Sequence, residues 1–135
     1  MMGAWGLGNF DNDTACDWVY DLEEVMDLSV IEKSINEVFE EECIDSDIAC
    51  EALAAVDTLA RLNGHFGVKN SYTETVDKWV QKNKLDVPGE LIEKAKKAIK
   101  HIISESSELF ELWSESEELD NWLTEIESLE KRLSS

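Results

Sequence analysis

A chain of 135 residues has the length of one domain, and 43% hydrophobic residues with a single proline exclude a disordered chain. A formal net charge of −19 excludes the basic face that phosphate contacts need, so direct binding to nucleic acid or to an anionic membrane is not expected. The opening does not read as a secretion signal, no run approaches roughly 18 apolar residues, and three cysteines are too few for a disulfide scaffold, so the cytoplasm with free thiols is the expected setting.

Residues 1–10 read as an irregular glycine-rich cap in which Gly3, Gly6 and Gly8 interleave with Trp5, Leu7 and Phe10. Helical periodicity follows and persists. Asp11 is the expected N-cap of a first helix, with Phe10 and Ala15 at the spacing of a hydrophobic staple. Ala15, Trp18, Val19, Leu22, Val25 and Met26 form its apolar stripe. A second helix opens at Ser29, where Glu32 completes a capping box, and turns Ile31, Ile35, Val38 and Phe39 inward. The third runs from Asp45-Ser46-Asp47 to Asn63, with Gly64 as its C-cap. It is small and apolar nearly all round, from Ala49 through Leu53 and Val56 to Ala60, which predicts the central and most buried helix.

Ser71 and Glu74 make a second capping box before a short helix with Val76, Trp79 and Val80 inward. After a turn over 83–88, a long helix carries Leu91, Ala95, Ala98, Ile99 and Ile102. The serines at 104–107 bend it before Leu109, Phe110, Leu112 and Trp113. A last helix, capped by Ser114 or Ser116, shows Leu119, Trp122, Leu123, Ile126, Leu129 and Leu133 on one face. No period-two stretch is long enough for a strand. The predicted fold is all-α: a single-domain bundle of five to six helices over 11–135, behind a glycine-rich N-terminal cap.

The opening reads Met2-Gly3-Ala4-Trp5-Gly6-Leu7-Gly8-Asn9-Phe10-Asp11-Asn12-Asp13-Thr14-Ala15-Cys16-Asp17-Trp18. It resembles a family of small bacterial proteins described as a domain of unknown function, which begin Met-Gly-x-Trp-Gly-x-Gly-x-Phe-Asp-Asn-Asp-x-Ala-x-Asp-Trp. The stretches around Ser107–Trp113 and Trp122–Leu133 are similar to its C-terminal pattern more loosely. The resemblance implies a bacterial source, a stand-alone domain and an initiator at the position of Met2. It brings no activity.

Each candidate chemistry has a plainer competitor. Gly6-x-Gly8 lacks the preceding strand and the third glycine of a dinucleotide loop, so glycines that let Trp5 and Phe10 fold back on the bundle explain it better. Asp11, Asn12 and Asp13 lack the later glycine and glutamate of a calcium loop, and acids at a helix N-terminus are favoured by capping alone. Cys16, Cys43, Cys50, His65 and His101 show no zinc-ligand spacing, and packing is the expected role of Cys16 and Cys50. His65, in a glycine-flanked loop, is the one nominee for acid–base chemistry and reads more simply as a loop histidine. Trp18, Trp79, Trp113 and Trp122 lie on apolar helix faces and are expected in the core. No catalytic residue, metal site or cofactor is predicted. The signature residues Trp5, Gly6, Gly8, Phe10, Asp11, Asn12 and Trp18 are read as structural.

Charge is the remaining signal. Residues 1–60 hold sixteen acids and one base, Lys33, whereas residues 61–103 hold five acids and nine bases. Such segregation costs stability through self-repulsion, so it fits a use. The expected function is a non-catalytic acidic binding protein that docks a basic protein surface, as an immunity or antitoxin-like protein does, through Asp13, Asp17, Asp21 and Glu24. The alternatives are a nucleic-acid mimic that blocks a DNA-binding protein, and an enzyme with a carboxylate or metal site.

Overall fold

The computed structural model describes residues 8–67, 69 and 71–134. They form α1 (Asp13–Glu23), α2 (Ser29–Glu40), α3 (Ser46–Leu62), α4 (Glu74–Lys82), α5 (Gly89–Ile102), α6 (Glu108–Ser114) and α7 (Leu119–Ser134). The class is all-α, with seven helices among the described residues in place of five to six. Of the expected N-terminal cap only Gly8, Asn9 and Phe10 fall within the described residues, and Trp5 and Gly6 lie outside them.

The extra helix comes from the serines at 104–107. The Ser104 hydroxyl donates to the His101 carbonyl at 2.6 Å, and the Ser107 hydroxyl accepts from the Phe110 N–H at 3.3 Å. Side chains that bond to backbone compete with the helix ladder, so the expected bend becomes a break. The freed backbone pairs elsewhere. Ile44 donates to the Ser106 carbonyl and accepts from the Glu108 N–H, both at 2.8 Å, which forms an isolated parallel bridge between Ile44 and Ser107. The loop before α3 is thereby fastened to the start of α6.

α3 is the axis of the bundle and touches each of the other six helices. Ala49, Ala52, Ala54, Ala55 and Ala60 are fully buried, and small side chains let neighbours approach from every side. Its C-terminus is closed by Gly64 at φ +86°, a conformation that suits glycine. Trp18 and Trp79 fill gaps between helices with their polar edges satisfied. The Trp18 indole donates to the Ser34 hydroxyl at 2.8 Å, and the Trp79 indole donates to the Val25 carbonyl at 2.9 Å. Trp113 and Trp122 stack at 5.7 Å.

Several expected starts move by a few residues. The N-cap of α1 is Asn12, not Asp11: its side chain accepts from the Ala15 N–H at 2.7 Å. The Ser29–Glu32 box does not form, because Asp27 takes the Ser29 N–H at 3.0 Å and its hydroxyl at 2.6 Å, leaving Ser29 inside α2. Ser71 does not cap α4 either, since the helix begins at Glu74 after Thr73. Neither serine expected to cap α7 does so: Ser114 ends α6, and Ser116 accepts from the Glu118 N–H at 3.1 Å in the turn before α7 begins at Leu119. Two residues expected inside are exposed: α1 ends before Met26 (77%), and Phe39 (38%), in the last turn of α2, borders a groove beside α5.

Candidate functional site

Trp18, Ala15, Val19 and Leu22 turn inward and fix the orientation of α1. The opposite side therefore faces solvent, and Asp13, Asp17, Asp21 and Glu24 are all exposed on it, together with Tyr20. The turn leading into α1 is tightly built. The Gly8 N–H donates to the Asp11 carboxylate and the Asp11 N–H donates to the Gly8 carbonyl, both at 3.1 Å. A Cβ on Gly8 would stand 2.7 Å from Asp11 Oδ2, so a side chain there would push the Asp11 carboxylate aside. Asp11, Asn12 and Asp13 thus serve a turn, a cap and the first helical turn respectively.

The acidic surface extends beyond α1. The Thr14 hydroxyl donates to Asp47 at 3.0 Å and ties α1 to the first turn of α3. One turn further along α3, the half-buried Glu51 carboxyl is pushed up by burial and then by Glu37, Asp47 and Asp21, with Lys33 opposing. Carboxylates from α1, α2 and α3 therefore share one field. Glu37, Asp47 and Glu51 were not foreseen as part of this surface, because their convergence exists only once the three helices pack. The two thiols beside it are pushed toward the protonated form. Burial and Asp13, Asp17 and Asp11 raise Cys16, and burial with Asp47, Glu51 and Asp45 pushes Cys50 up to about 12.

A different arrangement occupies the C-terminal end of α3. Asp57 and Arg61, only 3% and 2% exposed, form an i,i+4 pair with Nε–Oδ1 at 2.9 Å. Arg61 also reaches Asp77 of α4 at 2.6 Å. Arg132 of α7 donates to both oxygens of Asp57, at 2.8 and 3.1 Å, and Asn9 donates to the same carboxylate at 2.9 Å. The Phe10 and Phe66 rings flank the Arg61 guanidinium at 5.5 and 5.8 Å. A Cβ on Gly67 would stand 2.7 Å from the Arg132 Cζ, so the loop after α3 lies directly on that guanidinium. Burial alone would push the Asp57 carboxyl up. The hydrogen bonds of Arg132 and Asn9 and the charges of Arg61 and Arg132 outweigh it and hold it below the usual range.

This cluster joins the opening loop, α3, α4 and α7, and its two carboxylates balance its two guanidinium groups. It went unread in the sequence, although a signal was present. The second half of α3, from Ala52 to Arg61, is apolar on every side apart from Asp57, Thr58 and Arg61, so the two charges, one turn apart, had to be buried together. Its short contacts join opposite charges or a donor to an acceptor, while Asn9 Oδ1 and Arg132 Nε are buried within it without a hydrogen-bond partner among the described residues.

His65 gives its backbone to this region, its carbonyl accepting from Arg132 at 3.3 Å. His101 meets Phe39 edge-on at 5.2 Å. An open groove of about 570 Å³ lies beside Phe39, lined by Gly89, Glu90, Glu93, Lys94 and Lys97, and its charges cancel. Among the described residues no group of three or more His, Cys, Asp or Glu is placed to hold a metal ion. Nor is any helix among them long and apolar enough to cross a membrane. A family model described as a domain of unknown function (DUF4259) matches residues 3–125. No curated protein and no solved structure matches the chain.

Proposed function

The chain belongs to that family, and we propose that it works by binding, without catalysis, docking the basic surface of a partner protein on the acidic face of α1, α2 and α3. The observation that carries this reading is the exposure of Asp13, Asp17, Asp21 and Glu24 together on the outward side of α1, and the same acidic field reaches Glu51, whose carboxyl is raised by burial and then by Glu37, Asp47 and Asp21 with Lys33 opposing. Like charges held together destabilise the isolated protein, and a cationic surface relieves that repulsion on docking. Complementary fields also steer encounter and reject wrong partners. Neutralisation of a basic partner, as by an immunity or antitoxin-like protein, is the concrete form. The signature residues Gly8, Phe10, Asp11 and Asn12 then serve to set α1, and the docking contacts fall to Asp13, Asp17, Asp21 and Glu24.

Affinity capture with the native protein as bait tests this. The wild type should retain a basic partner at low salt and release it as ionic strength rises. Asp17→Lys, Asp21→Lys and Glu24→Lys together should lose the partner while keeping the helical circular dichroism of the wild type. A folded triple variant that retains the same partner would remove the reading.

A further inference from the structure

Among the described residues, the outward side of α1 is covered by no other element, and a large aromatic stands in it. Tyr20 is 69% exposed, while Trp18, Val19 and Leu22 of the same helix are buried. Its neighbours one turn away in either direction are Cys16, Asp17, Glu23 and Glu24. Three of these four are exposed carboxylates, and α1 holds no basic residue. The helix itself gives no reason for the ring: tyrosine is a middling helix former, and here it buries little.

The surroundings select the occupant. A second copy carries the same net charge of −19, which opposes its approach, and an acidic or neutral segment gains nothing from the flanking carboxylates. A cation gains from both the ring face and the carboxylates. Arginine and lysine differ in how much of this they can use. A guanidinium is planar, so it can stack on the ring while its N–H fork points outward to two carboxylates at once, whereas an ammonium is a strongly hydrated point charge. Tyrosine also contributes contact area at low entropy cost, which suits it to the centre of an interface.

We propose that Tyr20 is where the docking face reads arginine: a partner's guanidinium stacks on the Tyr20 ring while its N–H groups donate to Asp17 and Glu24. The inference rests on the acidic-face reading and adds to it a partner protein that presents arginine at the contact.

The test uses two labelled peptides of equal length and charge, with arginine or lysine as the only cation and glycine as spacer. Binding to the native protein is followed by fluorescence anisotropy at low salt. The arginine peptide should bind roughly 2–5-fold more tightly than the lysine peptide, the range of an exposed cation–π contact. Tyr20→Ala should abolish that difference with little change for the lysine peptide, and Tyr20→Phe should keep it, because the ring remains. Asp17→Asn with Glu24→Gln should weaken both peptides. Equal binding of the two peptides to the wild type, or an arginine preference that survives Tyr20→Ala, would overturn the role of Tyr20 and leave the acidic face standing. Failure of both peptides to bind the wild type would remove the acidic-face reading, and this inference with it.

Discussion

The two ends of α3 handle charge in opposite ways. At its N-terminal half, the half-buried Glu51 carboxyl is raised by burial and then by the like charges of Glu37, Asp47 and Asp21. At its C-terminal end, Asp57 and Arg61 are buried and joined to Asp77 and Arg132, so the signs alternate. The chain thus contains the means to pair carboxylates and uses them where a charge must be buried. Charge at the other end is left unbalanced on an open surface. Paired charge here organises the fold, and charge of one sign at the other end is what the proposed docking would use.

Breaking the paired end should have the largest effect. Asp57→Asn keeps the shape but removes the charge that balances Arg61 and Arg132. Removing one partner of a buried ion pair costs about 3–5 kcal/mol, so urea unfolding should show a loss in that range. Gly67→Ala should cost less, about 1–3 kcal/mol, because the new methyl group displaces the Arg132 guanidinium. A loss under about 0.5 kcal/mol for Asp57→Asn would show that the cluster is not a keystone.

Titration sharpens the contrast, because Glu51 and Asp57 shift in opposite directions. Glu51 is raised above its ordinary 4.5, so the folded protein holds that proton more tightly than the unfolded chain. Its contribution is fully present below pH 4.5 and is lost as pH rises through the raised value. Asp57 is lowered below its ordinary 3.8, so its contribution is present above that pH and is lost as pH falls through the lower value. Stability followed by thermal melting should therefore rise on mild acidification from neutrality and fall only below about pH 4, the ordinary carboxylate range. Glu51→Gln should remove part of the rise and stabilise the protein slightly at neutral pH, by roughly 0.5 kcal/mol at most.

What the sequence made legible was set by periodicity. Burial repeats along a helix, so the stripes through Trp18, Trp79, Trp113 and Trp122 and the all-round apolar character of α3 could be read residue by residue. Cap positions were less legible, because one hydrogen bond decides each. Asp27 outcompetes Ser29, and Asn12 takes the place expected of Asp11. The two charge clusters were least legible, since they depend on packing. Arg132 meets Asp57 across 75 positions, and Glu37, Asp47 and Asp21 meet Glu51 from three helices. Only the i,i+4 pair Asp57–Arg61 lay open in the sequence, and there the apolar residues around it drew the reading toward packing alone.

The most direct test of the acidic face is the association rate with the captured partner, measured by stopped flow across ionic strengths. Electrostatically steered association slows steeply as salt is added. The wild type should show that decline. The folded variant carrying Asp17→Lys, Asp21→Lys and Glu24→Lys should associate slowly at low salt and show almost no dependence on it. Equal rates with equal salt dependence in the two proteins would mean that the unpaired charge only keeps the chain in solution, and would contradict the docking role of this face.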